Sequence, residues 1–364
     1  MVIGVDGNEA NVVKRVGVSV YALNLLRYFK RQSKKNITFK VFLRATPLPD
    51  LPKEDRYFKY EIIKAKFLWS QIFLPFRLYK KKDIDVFYSP AHYLPRFCPV
   101  PQVVTIHDLA YLFFPQDFLK KDLYQLKFWT KYSIDSAKRI IAVSKSTKKD
   151  LINSYHIPSS KIKVIYNGYE KKHLLSESKL KTDLTKNPYI LYVGTLQPRK
   201  NILTLIKAFS RLKLIYPEIK LVIAGKKGWL YDEIYHSVAK FGMEDDIYFA
   251  DFVTDNQLIF LYENATCFVI PSFYEGFGIP ALEAMSFSCP VISSFSSSLP
   301  EIAGNAALYF DPNNHYDLVE KIKNLMDNSI LRDKLIRNGK ERIKKFSWDT
   351  CAKETLEVIM STIS

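Results

Sequence analysis

The chain has 364 residues, 48% of them hydrophobic and 25% charged, with a formal net charge of +17. That length is too great for one ordinary core and comfortable for two domains of about 150 to 200 residues each, and the composition excludes a disordered or fibrous protein. The basic excess points to a polyanionic partner such as nucleic acid, an anionic membrane surface or a phosphate-bearing substrate, although many of the lysines also read as solvated faces.

Short β-rich runs alternate with helical patterns from end to end. Strands are expected at 2–6, 39–43, 85–89, 103–107, 139–144 and 163–167 in a first half. A second half has them at 189–194, 220–225, 247–252, 267–272, 290–294 and 307–311. Several are unbroken apolar runs, as in parallel strands covered on both faces. Between them, Val18, Tyr21, Ala22, Leu25, Leu26 and Phe29 recur at the helical period, as do Ile202, Leu205, Ile206, Phe209 and Leu212. The alternation predicts an α/β protein of two doubly wound, Rossmann-like parallel-sheet domains, over 1–170 and 171–345. The join is expected in the polar, lysine-rich stretch 169–188. A cleft lined by the carboxyl ends of both sheets is the expected site.

The opening MVIGVDGNEA lacks the basic start and apolar core of a signal peptide. No apolar run approaches the roughly 20 residues of a spanning helix. Cys98, Cys267, Cys289 and Cys351 show no paired spacing, and Cys267 and Cys289 read as small core residues. A reducing, cytoplasmic setting is expected.

Three stretches carry chemistry. In YVGTLQPRKNILTLIKAF (192–209) a strand ends at Gly194 and a loop presents Arg199 and Lys200. Asn201 is placed to cap the following helix. Two cations beside a helix N-terminus suit a phosphate or pyrophosphate; a water-facing surface loop is the alternative. In EGFGIPALEAM (275–285), Glu275 and the Gly276-Phe277-Gly278 turn lead into a helix with Pro280 in its first turn. Glu283 is expected to point from that first turn to the same loop. Glycines let backbone amides approach a ligand, and two carboxylates suit the hydroxyl pairs of a sugar or ribose. Both glutamates could instead serve only the helix dipole. In VVTIHDLAYLFFP (103–115) a strand delivers His107 and Asp108 to its carboxyl end, while Gly17 precedes the first helix of the chain. A structural His107 and a turn-capping Asp108 are the alternatives.

Together these stretches resemble the family 4 retaining glycosyltransferases of GT-B architecture, whose signature is a Glu, seven residues and a second Glu. GTLQPRKN, LVIAGKKGW and SSSLPEIAGNAALYFDP match further family segments, and FSWDTCAKETLEVI resembles the family's C-terminal crossover helix, which would return 346–364 to the first domain. The resemblance implies a donor site of Gly17, Gly194, Thr195, Arg199, Lys200, Gly225, Phe252, Val253, Glu275, Gly276, Phe277, Gly278, Ile279 and Glu283. Arg199 and Lys200 would hold the pyrophosphate, Glu283 the ribose, and Glu275 with the amides of 276–278 the transferred sugar. Phe252 and Val253 would lie near the base. His107 would lie beside the reacting sugar and Asp108 on the acceptor side, so that His107, Glu275, Arg199 and Lys200 form the catalytic set. Thr195 stands where many relatives carry a basic residue, which leaves the division of phosphate contacts between Arg199 and Lys200 open.

The implied reaction transfers a hexose, with mannose from GDP-mannose as first choice, to a saccharide or lipid-linked saccharide, as in surface polysaccharide assembly. Retention and no metal or other cofactor are expected. DID at 83–85 resembles the metal motif of a different fold but reads here as a strand start. The segment 66–85 mixes Trp69, Ile72, Phe73, Phe76 and Leu78 with Lys80, Lys81 and Lys82. It suits an anionic membrane surface or a docked scaffold helix. A nucleotide-sugar epimerase or hydrolase of the same fold is the alternative function. A nucleic-acid-binding protein ranks third, because the lysines are dispersed and no recognition motif appears.

Overall fold

Strands such as QVVTI and VISS are buried along their whole length, which only a sheet covered on both faces can accommodate. The computed structural model describes residues 1–65, 67–171 and 186–363. The chain divides into two compact units, 1–113 with 119–168 and 346–364, and 114–118 with 169–345. Of the expected join at 169–188, residues 172–185 lie outside the described residues.

In the first unit, β1 (Val2–Asp6), β2 (Thr38–Leu43), β3 (Phe58–Ile62), β4 (Val86–Ser89), β5 (Gln102–Ile106), β6 (Arg139–Ala142) and β7 (Ile162–Val164) form one sheet. Its order is β3-β2-β1-β4-β5-β6-β7, parallel throughout, with Ile3 opposite Phe39 on one side and Val86 on the other. Helices α1 (Val18–Gln32), α2 (Leu74–Lys81), α3 (Ala110–Phe113), α4 (Lys120–Ser136) and α5 (Lys145–Tyr155) accompany it. A π-helical turn at Trp69–Phe73 leads into α2.

The sequence reading missed β3. Its FKYEI buries only Phe58 at the sheet edge, and Lys59 and Glu61 break the apolar run that marked the other strands. The DID stretch precedes β4: Asp83 pairs with Arg77 and Lys40, and Asp85 accepts from the Val2 amide at 2.7 Å.

In the second unit, β8 (Tyr189–Val193), β9 (Lys220–Ala224), β10 (Ile247–Asp251), β11 (Cys267–Ile270), β12 (Val291–Ser294) and β13 (Ala307–Phe310) form a parallel sheet ordered β10-β9-β8-β11-β12-β13. It is accompanied by α6 (Ile202–Leu212), α7 (Asp232–Lys240), α8 (Asp255–Asn264), α9 (Ile279–Ser286), α10 (Leu299–Ala303), α11 (His315–Asp327) and α12 (Ser329–Ile343). Ile202, Leu205, Ile206, Phe209 and Leu212 of α6 are buried in its core, as the periodicity requires. A last helix, α13 (Trp348–Met360), packs in the first unit, where Cys351, Ala352, Leu356 and Ile359 join the core with Tyr21, Leu25 and Phe29. All four cysteines are free thiols.

Candidate active site

In the second sheet the chain runs outward from β8 to β9 and β10, then restarts on the other flank at β11. The loops after β8 and β11 meet at the carboxyl ends where the strand order reverses, the place where doubly wound sheets bind ligands. Those two loops carry Arg199, Lys200 and Glu275.

The loop after β8 closes in a 3-10 turn at Pro198–Lys200. Lys200 Nζ lies 2.5 Å from Glu275 Oε1 and Arg199 Nη1 3.9 Å from Oε2. The Arg199 guanidinium also donates to the Tyr274 carbonyl at 3.0 Å, and its backbone carbonyl accepts from the Phe273 amide at 2.9 Å. Burial alone would raise the Glu275 pKa. The charges of Lys200 and Arg199, with hydrogen bonds from Lys200 and from Ser272 Oγ at 2.7 Å, outweigh it and hold the carboxyl below its ordinary value. The result is a charged, largely buried triad at one spot.

Asn201 does not cap α6. Its backbone is left-handed at φ 56°, and its side-chain amide donates to the carbonyls of Pro271 at 3.0 Å and Pro312 at 2.8 Å. The residue ties the cation-bearing turn to two neighbouring loops instead.

Four serines that the sequence reading did not single out prop the glutamate loop. Ser294 Oγ donates to the Ser272 carbonyl at 2.6 Å, and Ser298 Oγ to the Glu275 and Phe277 carbonyls at 2.8 and 3.0 Å. Ser297 Oγ accepts from the Glu275 amide at 2.8 Å, and Ser296 bonds the Phe273 carbonyl. Asp117, 2% exposed, was also missed. It comes from the 114–118 stretch and accepts from the Arg199 amide at 3.0 Å, while its Oδ1 is buried without a hydrogen-bond partner. Burial raises its pKa against the Arg199 amide and charge.

Gly276, Phe277 and Gly278 are buried, and Ile279 begins α9 with Pro280 in the first turn. Gly278 sits at φ 104°, which an L side chain rarely adopts. Glu283 is the fifth residue of α9, not in its first turn, so a simple dipole role does not explain it; its carboxylate accepts from the Tyr262 hydroxyl at 3.2 Å. Gly194 and Gly225 end β8 and β9 in close contact, since a Cβ on Gly225 would lie 1.9 Å from the Gly194 carbonyl oxygen. Thr195 is exposed. Phe252 and Val253 follow β10, three strands from β11, with Lys226 Nζ 5.0 Å from the Phe252 ring centroid.

In the first unit the direction of the chain changes between β1 and β4. Gly17 ends the loop after β1 and stands at the head of α1, with open space around it. His107 directly follows β5 and is 8% exposed. Its Nε2 is 2.8 Å from the Pro90 carbonyl. A carbonyl only accepts, so Nε2 carries the proton and Nδ1 is left as an acceptor. Burial, then the neighbouring His92, push the His107 pKa down to about 4, so the ring is neutral near pH 7. Asp108 Oδ1 accepts from the Ala110 amide at 3.0 Å and starts α3. His92, another residue the sequence reading passed over, lies with its ring centroid 6.1 Å from that of His107, the planes tilted by 37°, and has a buried, unpartnered Nδ1. The candidate residues thus fall into two groups, Gly17, His107 and Asp108 in the first unit and the remainder in the second.

Comparison with known proteins agrees with this architecture. The family model described as glycosyltransferase family 4 matches 16–172, and that described as glycosyl transferases group 1 matches 176–342. The chain is 32% identical over 281 residues to O-antigen chain mannosyltransferase B of Escherichia coli, covering 74% of this chain and 73% of the relative. It belongs to the family 4 glycosyltransferases. A second relative, the O-antigen chain mannosyltransferase RfbU of Salmonella typhimurium, is 32% identical over 62% of this chain and 60% of its own. Among solved structures, sucrose-phosphate synthase from Thermosynechococcus elongatus matches with a TM-score of 0.76 at 20% identity, covering 99% of this chain and 98% of the other. The Anabaena protein HepE, solved with UDP and glucose, matches at 0.73 and 17% identity over 99% of both chains. These likenesses establish the GT-B fold of a family 4 glycosyltransferase.

Proposed function

We propose that this glycosyltransferase moves mannose from GDP-mannose to a saccharide or lipid-linked saccharide, with retention at the anomeric carbon and without a divalent metal. The observation that carries the reading is the Arg199–Lys200–Glu275 triad at the switch between β8 and β11. Two preorganised cations supply the charge stabilisation that a departing diphosphate needs, and Glu275 offers a carboxylate to sugar hydroxyls. From β11 to β10 is three strand spacings, roughly 14 Å, a span that suits a sugar at Glu275 and a base at Phe252. Glu283 would take the ribose. The mannosyltransferase relatives favour mannose. In a front-face transfer the leaving phosphate accepts the acceptor's proton. His107, neutral with Nδ1 able to accept, would take a hydrogen bond from a hydroxyl and not act as an acid. Such a chain would work at the cytoplasmic face of a membrane, with 66–82 against its anionic surface.

The test is calorimetric titration with GDP, UDP and ADP in excess chelator, followed by product analysis with GDP-mannose and a saccharide acceptor. GDP alone should bind, and Lys200→Ala should weaken it by tenfold or more, about 1.4 kcal/mol. Glu275→Gln frees both cations from their internal counter-charge, so GDP should bind as well or better while transfer falls about a hundredfold or more. No binding of any nucleotide would overturn the donor assignment. Acceptor-independent turnover would indicate an epimerase or hydrolase, and loss of transfer in chelator would overturn metal independence.

A further inference from the structure

Three stretches of the first unit expose large apolar side chains next to one another. Phe67 and Phe76, 80% and 68% exposed, project with Ile72 and Phe73 from the segment that buried Trp69, Leu74 and Leu78 anchor in the core. The sequence reading treated Trp69 and Leu78 as part of that surface, but both face inward; Lys66 lies outside the described residues. Residues 96 and 97 connect this segment to α4. The Arg96 amide donates to the Ser70 carbonyl at 3.3 Å, and the Phe97 amide donates to the Tyr132 hydroxyl at 2.9 Å. Phe97 itself is 71% exposed. On α4, Tyr124 and Phe128 precede Tyr132 at four-residue steps and so share its side of the helix. Both are exposed, with ring centroids 4.4 Å apart.

Contiguous apolar surface of this kind marks an interaction site. Two of its members also carry strained backbone. Leu68 and Phe97 each sit at φ 50°, a conformation costly for a bulky L-residue. Both side chains are exposed, and the Leu68 carbonyl also accepts the first hydrogen bonds of the π-helical turn that follows it. The charges around the patch are one-sided. Lys80, Lys82, Lys120, Lys121 and Lys127 are exposed and make no ion pair among the described residues, whereas Lys81 and Lys131 pair with Glu61 and Asp135. The acidic residues of α4 are Asp122 and Asp135, the second of them paired with Lys131.

We propose that Phe67–Phe76, Phe97 and the Tyr124–Phe128 side of α4 form one composite face that beds into the interfacial layer of an anionic lipid bilayer. Aromatic rings enter the headgroup–acyl boundary while flanking lysines meet lipid phosphates, which matches apolar centre to basic rim. The placement of 66–82 on a membrane supplies one of the three segments; the 97 loop and α4 are new to it. They widen a narrow strip into a platform that fixes orientation on the bilayer as well as attachment.

Flotation of the full chain with phosphatidylcholine vesicles, with and without roughly one third phosphatidylglycerol, tests this. Binding should require the anionic lipid and fall with salt. Each Lys→Gln change at Lys120, Lys121 or Lys127 should weaken it about fivefold. Phe97→Gly removes the ring and relieves the positive-φ strain, so its thermal stability should hold or rise while vesicle binding drops about tenfold or more. Phe128→Ser should behave alike. Loss on Phe76→Ser but not on Phe97→Gly or Phe128→Ser would overturn the composite face and leave 66–82 acting alone. Wild-type chain that ignores anionic vesicles would overturn both. A dimer by light scattering that Phe97→Gly dissociates would overturn the lipid proposal in favour of a self-interface.

Discussion

At the scale of single residues, His107 shows how burial decides chemistry. A free imidazole titrates near 6.5, but here desolvation and the adjacent His92 bring it to about 4. The folded pKa lies below the free value, so the neutral ring stabilises the fold fully above pH 6.5, and that contribution is lost as pH falls through the window down to 4. The size is about 3 kcal/mol over the whole window. Urea unfolding from pH 7.5 to 4 should show wild-type stability dropping more steeply than His107→Gln. Parallel pH profiles for the two would mean that His107 does not titrate in this way. His92, also pushed down by burial, should be compared through His92→Gln in the same series. Residue type alone does not assign the His107 ring, since the Pro90 carbonyl contact fixes which of its nitrogens carries the proton.

At the scale of elements, the cation-bearing turn is held from outside its own strand and helix. Asp117 is 82 residues from Arg199 in the chain, yet it accepts that residue's amide hydrogen. Phe114, from the same stretch, stacks on Phe273 at 6.3 Å beside the glutamate loop. Asp117→Ala should leave a buried N–H unpaired, cost about 1–3 kcal/mol of stability and raise the KM for donor about tenfold through a misplaced turn. Asp117→Asn keeps an acceptor oxygen and should restore most of the donor KM. If Asp117→Ala lowers stability without moving donor KM, the turn does not depend on it. Such links explain what the sequence made legible. Every strand of β8–β13 appeared in its apolar run within two residues of its ends, because burial on both faces writes itself locally. The Arg-Lys and Glu-Gly-Phe-Gly loops were legible because each lies directly after a strand. Asp117, His92 and Ser294–Ser298 were not, because their partners are set by tertiary contact. Asn201 misled for the same reason: its residue type suits a cap, but two carbonyls from distant loops claim its amide.

At the scale of the whole molecule, the first unit depends on the last stretch of the chain. After the second unit is complete, α13 inserts Cys351, Ala352, Leu356 and Ile359 into the core of the first. Gly168, where the chain leaves that unit, lies so close to its return that a Cβ would come 2.3 Å from the Trp348 amide. The first unit therefore cannot finish its core until α13 has been made. Leu356→Ala with Ile359→Ala removes two buried side chains at about 2–5 kcal/mol each. The loss is additive only in part for neighbours, yet it is comparable with the whole stability of an ordinary domain. Urea unfolding of this double variant should split into two transitions, with the earlier one belonging to the first unit. Added GDP should raise chiefly the later transition, since the proposed donor residues Arg199, Lys200, Glu275 and Glu283 lie in the second unit and a ligand stabilises the state that binds it. A single transition displaced as one would show instead that the two units unfold cooperatively and that α13 stabilises both.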